Sequence, residues 1–535
     1  MQVMDYFIGV DVGSGSARAG VYSAEGKRLA MAVSPIQQFR PQSDFIEQSS
    51  DDIWTQVCHA VKKARQLSGL DPEAIKGIGF DATCSLVALD ESDQPVSVSP
   101  SGEDNQNIVM WMDHRAIEQA QQINLTGDPS LKYVGGEVSV EMELPKILWL
   151  KQNLPNQYQK IAKFFDLADF LVYRATGKPV RSVCTKSCKW NYLSHEQRWA
   201  KDLLAQIDLL DLLEEGRVEG PILEVGSLAG NLSAQAANAL GLVTSTAVAT
   251  GLIDAHAGAL AIMGDKPEST LAIISGTSAC HMAISTEPLF VEGVWGPYWG
   301  AMLPNTWLLE GGQSSAGALV DHVIRDAACH SVLKQSAENE GCSVYELLNK
   351  QIEVLEESEP YLTQQLHLLG YHHGNRSPRA DPTLKGMISG LSLNEDINTL
   401  AIHYLAAIQS VAYGTRHIIE AMRANGHRIE EIHMCGGGVK NPLWLREHAD
   451  ITGCPVVLPS DSEAVLLGSA MLGAAASGHF SSLPEAIEAM SSVGARIEPR
   501  KHTQSYHAAK YQVFLEMYED QMKYRRLMKD TPNFQ

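Results

Sequence analysis

The sequence has few features of a membrane or secreted protein. No stretch of its 535 residues approaches the ~18 uninterrupted apolar side chains that a membrane-spanning helix needs. A predicted strand begins almost directly after Met1, which leaves no place for a signal peptide. The nine cysteines, an odd number, form no CxxC pair, and reduced thiols suit this pattern better than a disulfide framework. We therefore expect a cytoplasmic protein with no membrane partner.

The sequence has few of the residues that a structural zinc site or a nucleic-acid-binding surface would need. Cys184 and Cys188 lie one helical turn apart, but no second ligand pair is near them in the sequence, so a structural zinc site is not indicated. The chain also lacks an excess of basic residues. Its net charge of -21 argues against nucleic acid as a partner. An anionic nucleotide remains compatible with this charge, because Mg²⁺ and a few local cations can screen it.

The length of the chain exceeds what one hydrophobic core normally supports, so at least two domains are expected. The breaker Gly264-Asp265-Lys266-Pro267 gives a boundary near its start. We therefore predict one domain over residues 1–263 and another over 264–535. Residues 51–66 and 162–176 are expected to be helices, the first capped by Ser49 or Ser50, and a packed helix is expected over 505–528.

The segment from Tyr6 to Tyr22 reads as a hairpin with a Gly/Ser turn. Glycines in this turn allow positive φ and let backbone N–H groups meet phosphate oxygens. An acid at the end of the first strand is a hard oxygen ligand for Mg²⁺, directly or through water, and an arginine on the second strand can reach the same phosphates. The alternative is an ordinary hairpin with one surface acid. The residues concerned are Asp11, Gly13, Ser14, Gly15, Ser16 and Arg18.

The same pattern of strand, small polar turn and strand returns at residues 270–284, with Gly276 and Thr277 in the turn. Two such hairpins, far apart in the chain, indicate an internal duplication with a nucleotide between the halves. A further strand ends on Gly436, Gly437 and Gly438. Three glycines allow close approach to adenine and its ribose, whereas the absence of G-x-G-x-x-G gives no support to a Rossmann NAD site.

Several polar residues follow predicted strands and are candidates for chemistry. Asp254 begins a helix of small residues, where its carboxylate could accept a proton or merely cap the helix. Residues 81–85 interrupt a strand as either a pocket edge or a bulge. Trp111 could stack on a sugar or lie in the core, with Asp113 accepting hydroxyls. Lys189 lies in a predicted strand or loop over 181–190, and Glu310 ends a strand before a helix.

Taken in order, these motifs resemble the FGGY carbohydrate kinases of the actin–hexokinase–heat-shock-ATPase superfamily. The resemblance implies an α/β fold with two actin-like (ribonuclease H-like) ATPase domains around a central cleft, and it implies ATP and Mg²⁺ as cofactors. The stretch from Asp11 to Ala19 is similar to the first phosphate loop of the family, and 275–278 to the second. Gly436, Gly437, Gly438 and Asn441 resemble its adenosine motif, and Gly251-Leu252-Ile253-Asp254 the segment with the catalytic base.

Within that family, the run Thr83-Cys84-Ser85-Leu86-Val87 resembles the ribulokinase branch, particularly its D-ribulose kinases, and stands where glycerol kinases carry an Arg-Glu pair. The resemblance implies a ketopentose, with D-ribulose phosphorylated at C5 as the best prediction. L-Ribulose, ribitol and D-xylulose stay open, as do a homodimer and a chaperone- or filament-type ATPase on the same fold. Lys186 is the alternative to Lys189. The implied substrate ligands are Thr83, Cys84, Trp111, Asp113, Lys189, Asp254 and Glu310.

Overall fold

The computed structural model of the chain describes residues 4–264 and 266–529. The first stretch contains many short strands and ten helices among its described residues. Its strands are β1 (Tyr6–Val12), β2 (Ser16–Ser23), β3 (Arg28–Pro35), β4 (Glu47–Gln48), β5 (Ile75–Ala82), β6 (Leu86–Leu89), β7 (Ile108–Val109), β8 (Lys163–Asp166), β9 (Arg181–Ser182), β10 (Tyr192–Leu193), β11 (Arg198–Trp199), β12 (Ile222–Leu223), β13 (Leu228–Asn231), β14 (Ala247–Ala249) and β15 (Leu252–Ile253). Its helices are α1 (Ser50–Ser68), α2 (Ile117–Asn124), α3 (Glu143–Asn153), α4 (Pro155–Lys160), α5 (Leu167–Thr176), α6 (Val183–Lys189), α7 (Lys201–Gln206), α8 (Asp211–Glu214), α9 (Ala234–Leu240) and α10 (Asp254–Ile262).

The second stretch has fewer strands and longer helices. Its strands are β16 (Thr270–Ser275), β17 (Ala279–Ser285), β18 (Trp295–Trp299), β19 (Trp307–Gln313), β20 (His367–Leu369), β21 (Met387–Ser389), β22 (Glu431–Gly436), β23 (Val456–Pro459) and β24 (Val493–Ile497). Its helices are α11 (Gly317–Arg325), α12 (His330–Glu340), α13 (Val344–Glu356), α14 (Ile397–Ala424), α15 (Pro442–Thr452), α16 (Ala464–Ala476), α17 (Leu483–Met490) and α18 (Gln504–Lys529). Short 3₁₀ turns cover Pro72–Ala74, Pro129–Val134, Pro267–Ser269, Gly437–Lys440 and Lys501–Thr503.

Two large sheets repeat one arrangement. In the first, β1, β2 and β3 form an antiparallel meander, while β5 runs parallel to β1, and both β14 and β15 run parallel to β5. In the second, β16 pairs antiparallel with β17, and β17 with β19, while β22 and β23 continue in parallel from β16. Each sheet therefore joins an antiparallel hairpin to parallel strands, as an internal duplication predicts, and the protein has the expected α/β class.

The two sheets are joined by helices that cross between them. Helix α16 lies between β23 and β24 of the second sheet in the chain but packs against β1 and β5 of the first, whereas α10 packs against α16, β16 and β22. The contact with α16 is close enough to require glycine, because a Cβ at Gly9 would lie 1.9 Å from the carbonyl oxygen of Leu466. The boundary between residues 1–263 and 264–535 stays a prediction. It separates the two sheets but assigns α16, which packs against the first sheet, to the second half.

Three sequence-based element predictions can be compared with the structure. Helix α1 spans Ser50–Ser68 with Ser49 as its N-cap, and α18 covers the predicted C-terminal helix. The helix predicted over 162–176 begins only at Leu167, because the preceding residues form β8 and pair with β6. The strand or loop predicted over 181–190 is wrong for most of its length. The Ser182 hydroxyl accepts a hydrogen bond from the Cys184 N–H and starts helix α6. No helix among residues 4–264 and 266–529 is long and apolar enough to cross a bilayer.

Candidate active site

Three carboxylates meet at one edge of the first sheet. Asp11 lies near the end of β1 directly beside Asp81 of β5, and β15 pairs with the end of β5 immediately before Asp254. Because the carboxyl ends of parallel strands lie at the same edge, the pairing alone brings these acids together. Two of the three were predicted site residues. Asp81 was recognised only as part of a polar interruption, although an acid at the end of a buried apolar strand is itself a usable signal.

The crowding of these acids raises the pKa of two of them. Asp81 is fully buried, and burial together with the charge of Asp11 raises its pKa well above the usual range. One of its oxygens accepts a hydrogen bond from the Ser469 hydroxyl, while Oδ1 has no partner among the described residues. For Asp254, burial and the charge of Asp11 raise the pKa to about 6. Its Oδ1 accepts the N–H of Ala255 at 2.7 Å, and the N-cap position of α10 is occupied by Ile253.

The first loop is held by contacts on both sides. Arg18 faces Asp11 across the hairpin and forms ion pairs with Asp11 and, at 3.0 Å, with Glu463 of the second half. Neither Gly13 nor Gly15 adopts the positive φ that glycine allows. The Gly13 N–H donates within the turn to the carbonyl of Ser16 at 3.1 Å. What both glycines provide is open space: a Cβ at Gly15 would meet no described atom within 4 Å.

One contact joins this loop to the predicted sugar residues. The indole Nε1 of Trp111 donates a hydrogen bond to the Ser14 Oγ at 3.1 Å, and the Trp111 backbone N–H lies 3.2 Å from the Ser85 Oγ. Trp111 is only half-buried, so part of its ring remains accessible. Trp111 and Ser14 are therefore neighbours in the fold, although 97 residues separate them in the chain.

The second loop and the triple glycine lie side by side, because Ser275 of β16 pairs with Gly436 of β22. Gly276 and Thr277 are exposed, and their carbonyls accept N–H groups from the residues that begin α11. Gly436 adopts φ 94°, which L side chains rarely tolerate. These contacts fix the loop while they leave the Thr277 side chain exposed.

Two predicted adenosine residues have additional structural duties. A Cβ at Gly438 would lie 2.3 Å from the Ser275 Oγ, so this glycine is required by a protein neighbour and not by an open ligand face. Gly437 is more open, since the nearest described atom to its Cβ would be 3.9 Å away. Asn441 caps α15 through the Leu443 N–H, and its amide donates to the Tyr404 hydroxyl at 2.7 Å.

Lys186 and Lys189, the two alternative sugar ligands, have different partners in the structure. Lys186 is fully buried, with its ammonium 3.3 Å from Asp169 and over the ring of Trp190. Lys189 lies 4.9 Å from the Trp295 ring centre. Burial would lower its pKa, but the interactions with Cys84 and Glu310 outweigh burial and raise it well above the usual value. Only Lys189 of the two therefore shares an electrostatic environment with Glu310.

Glu310 lies in the middle of β19, and the prediction that it ends a strand is wrong. Burial would raise its pKa, but a 3.2 Å hydrogen bond with His256 Nε2 and the charge of Lys189 lower it to about 2. His256 was not predicted as a site residue. It lies two residues after Asp254 on α10, and an imidazole among alanines and glycine is the signal that could have identified it.

Thr83 and Cys84 follow β5 and are both nearly buried. The Thr83 N–H donates to the Val12 carbonyl at 3.0 Å, which fixes this segment against the end of β1.

Arg376 was also missed as a site residue. It reaches from the second half to Glu141 of the first at 3.1 Å, and its guanidinium lies 5.1 Å from the Trp295 ring centre. The side chains of Arg376 and Lys189 therefore both lie near the Trp295 ring.

The structure does not bring Asp113 into this group as a free ligand. Its carboxylate is fully buried and accepts the Ile46 N–H at 2.7 Å and three hydrogen bonds from Arg115. Arg115 in turn pairs with Glu47 at 2.8 Å. A sugar hydroxyl would have to displace a charge-assisted pair, so the predicted role of Asp113 as a direct sugar ligand is not supported by its geometry.

Comparison with known proteins gives a consistent picture. A model described as the FGGY family of carbohydrate kinases, N-terminal domain, matches residues 6–261, and the corresponding C-terminal domain matches residues 271–477. A Homo sapiens protein named FGGY carbohydrate kinase domain-containing protein is 47% identical over 98% of both chains. A Saccharomyces cerevisiae protein named D-ribulokinase is 42% identical over 89% of this chain and 72% of its own, and a ribulokinase of Geobacillus thermodenitrificans is 31% identical over 91% and 89%.

Solved structures agree in fold. The xylulose kinase of Rhodospirillum rubrum superposes with a TM-score of 0.79 at 19% identity, covering 97% of this chain and 99% of that one. The gluconate kinase of Lactobacillus acidophilus gives a TM-score of 0.80 at 18% identity, covering 97% and 98%. At these identities the likeness shows the fold alone, and it confirms the predicted pair of actin-like domains.

Proposed function

Because the chain belongs to the FGGY family of carbohydrate kinases, we propose that it transfers the γ-phosphoryl group of ATP to the C5 hydroxyl of a ketopentose, with D-ribulose as its best substrate. The observation that carries this proposal is the hydrogen bond between Trp111 and Ser14. It joins the side chain suited to a sugar to the loop suited to phosphate. The choice of D-ribulose is supported by the relative named D-ribulokinase.

The sugar would lie against the accessible face of Trp111, since apolar sugar faces stack on aromatic rings. Lys189 would donate hydrogen bonds to the ketose carbonyl or to a hydroxyl oxygen. The ionised Glu310 would accept hydrogen bonds from the sugar hydroxyls. The short side chains of Thr83 and Cys84 leave room for a five-carbon chain. Asp113, two residues after Trp111, would hold this segment in place through its hydrogen bonds with Ile46 and Arg115.

Asp254 is the general base of the proposed reaction. Its carboxylate takes the proton of the C5 hydroxyl as that oxygen forms a bond to the γ-phosphorus and the bond to the ADP oxygen breaks in line. A pKa of about 6 leaves the carboxylate mostly ionised at neutral pH while keeping it a better proton acceptor than an ordinary aspartate. Exclusion of water by closure of the two halves protects the phosphoryl group from hydrolysis.

The nucleotide would be bound by loops from both halves. The first contributes Gly13, Ser14, Gly15, Ser16 and Arg18, the second Gly276 and Thr277, and the adenosine side Gly436, Gly437, Gly438 and Asn441. The residues present fit Mg²⁺ as well, because Asp81 Oδ1 is a buried carboxylate oxygen with no partner among the described residues, next to Asp11. Bound Mg²⁺ would supply neutralisation of phosphate charge.

Two rival readings define the experiment. A chaperone- or filament-type ATPase would hydrolyse ATP without a sugar, whereas a kinase for L-ribulose, ribitol or D-xylulose would prefer a different panel member. Location in the cytoplasm and assembly as a homodimer stay predictions.

The test measures ADP formation by the purified chain with each of D-ribulose, L-ribulose, D-xylulose, ribitol, glycerol and sedoheptulose. We expect kcat/KM for D-ribulose at least about tenfold above every other compound, which is only ~1.4 kcal/mol of discrimination. Turnover that does not depend on any sugar would contradict the kinase proposal. A preference for D-xylulose or L-ribulose would keep the kinase and overturn the substrate.

A further inference from the structure

Behind the proposed sugar site lies a buried cluster of two thiols and an imidazole. Cys184 and Cys188 occupy successive turns of α6, and His256 comes from α10. One donor atom from each residue lies within 4.8 Å of the other two, and all three side chains are fully buried. The Cys184 Sγ and the His256 Nδ1 are 3.1 Å apart.

We propose that Cys184, Cys188 and His256 form a binding site for a thiophilic divalent metal ion of the zinc class. Zinc binds thiolate sulfur at about 2.3 Å and imidazole nitrogen at about 2.0–2.1 Å, so its ligand atoms stand roughly 3.5 Å apart. The observed cluster needs little movement to reach that spacing. Two sulfur ligands and one nitrogen select zinc or cobalt over magnesium, which prefers oxygen.

The imidazole is already oriented for this role. Its Nε2 lies 3.2 Å from the Glu310 carboxylate, so a proton on Nε2 leaves Nδ1 free to face the sulfurs. A carboxylate that holds the second nitrogen of a metal-binding histidine is the usual outer partner of such sites. A bound ion would thus tie α6, which carries Lys189, to α10, which carries Asp254, and would fix Glu310 from behind.

This site is separate from the carboxylate group at the strand ends, and its ligands are of a different chemical kind. The cysteine spacing alone did not indicate it, because the third ligand lies 72 residues from Cys184 in the chain. Three protein ligands leave one position of a tetrahedral ion for a water or another small ligand.

The test uses the full-length chain, freed of metal by a chelator under reducing conditions and then titrated with Co²⁺. We expect sulfur-to-cobalt charge-transfer absorption in the near ultraviolet that saturates at one equivalent, persists in excess Mg²⁺ and is displaced by Zn²⁺. Cys184→Ser and Cys188→Ser should each lose the one-equivalent signal. Cys58→Ser, a matched change at another buried cysteine, should keep it.

Absence of the charge-transfer band in the wild-type chain, or its retention in both serine variants, would overturn the proposal. If a variant does not fold, X-ray absorption of the wild-type zinc form decides. Sulfur atoms at about 2.3 Å from the zinc would support the proposed site, whereas a coordination shell of oxygen atoms alone would refute it.

Discussion

Replacing Asp254 by asparagine tests the proposed base most directly. The substitution keeps the shape of the side chain and an oxygen to accept the Ala255 N–H, but it removes the ability to accept a proton. Binding of ATP and sugar should therefore stay within several-fold of wild type. We expect kcat to fall by ~10²-fold or more, the lower end of general-base contributions.

The raised pKa adds a second, independent prediction for the wild-type enzyme. Burial and the charge of Asp11 raise the pKa of Asp254 to about 6, and only the ionised carboxylate can act as a base. Activity is therefore present above this pKa and is lost as the pH falls through it. For one titrating base, about nine in ten molecules are active at pH 7 and roughly one in eleven at pH 5, so kcat/KM should drop roughly tenfold.

The assay measures ADP release between pH 5 and 8, at saturating ATP and D-ribulose for kcat and at concentrations well below KM for kcat/KM. Asp71→Asn is a matched control, because Asp71 is exposed and its side chain makes no capping hydrogen bond. This control should retain both the rate and the acidic limb of the profile. An Asp254→Asn enzyme that keeps its kcat within about threefold, or that still shows the limb near pH 6, would refute the assignment.

Three further predictions concern the lysines, the second loop and the helix contact. Lys189→Met should raise KM for the sugar at least about tenfold with little change in KM for ATP. Lys186→Met should instead lower Tm, because breaking a buried ion pair costs about 3–5 kcal/mol. Equal sugar KM values in the two variants would contradict this division of roles. Thr277→Val should weaken MgATP binding by about tenfold in calorimetry through loss of a phosphate donor. Gly9→Ala should destabilise the chain by about 1–3 kcal/mol in urea unfolding, because its Cβ would overlap the α16 backbone, while Gly15→Ala should not.

Local sequence patterns predicted the parts of the fold that depend on local chemistry. The Gly/Ser hairpin, the Ser49 cap and the packed last helix all depend on nearby residues, and each is present. The errors fall where tertiary pairing overrides local preference. Residues 163–166 became a strand because β6 offers them a partner, and residues 183–189 became a helix although their polar sequence suggested an extended segment.

The candidate site shows the same limit. Asp11 and Asp254 end apolar runs, so their position at a sheet edge follows from the sequence alone. The partners of the other side chains do not follow, since they arrive from distant segments. The Ile46 N–H that donates to Asp113 lies 67 residues away in the chain, and His256 meets Glu310 across the two halves. Such pairings need the three-dimensional arrangement, and they decide which predicted ligand is free.

Because the chain as a whole has a net charge of -21, negative charge at the site must be balanced by cations close to it. At the strand ends Arg18 is the cation that pairs with Asp11, and it is shared with Glu463, while its side chain remains 34% exposed. Asp81 and Asp254 lie beside Asp11, and burial together with the charge of Asp11 raises the pKa of both. A triphosphate adds negative charge at this edge, which one shared guanidinium cannot offset. In the proposed reaction we therefore expect a divalent cation to be needed, because without it the nucleotide and the acids would repel each other at short range.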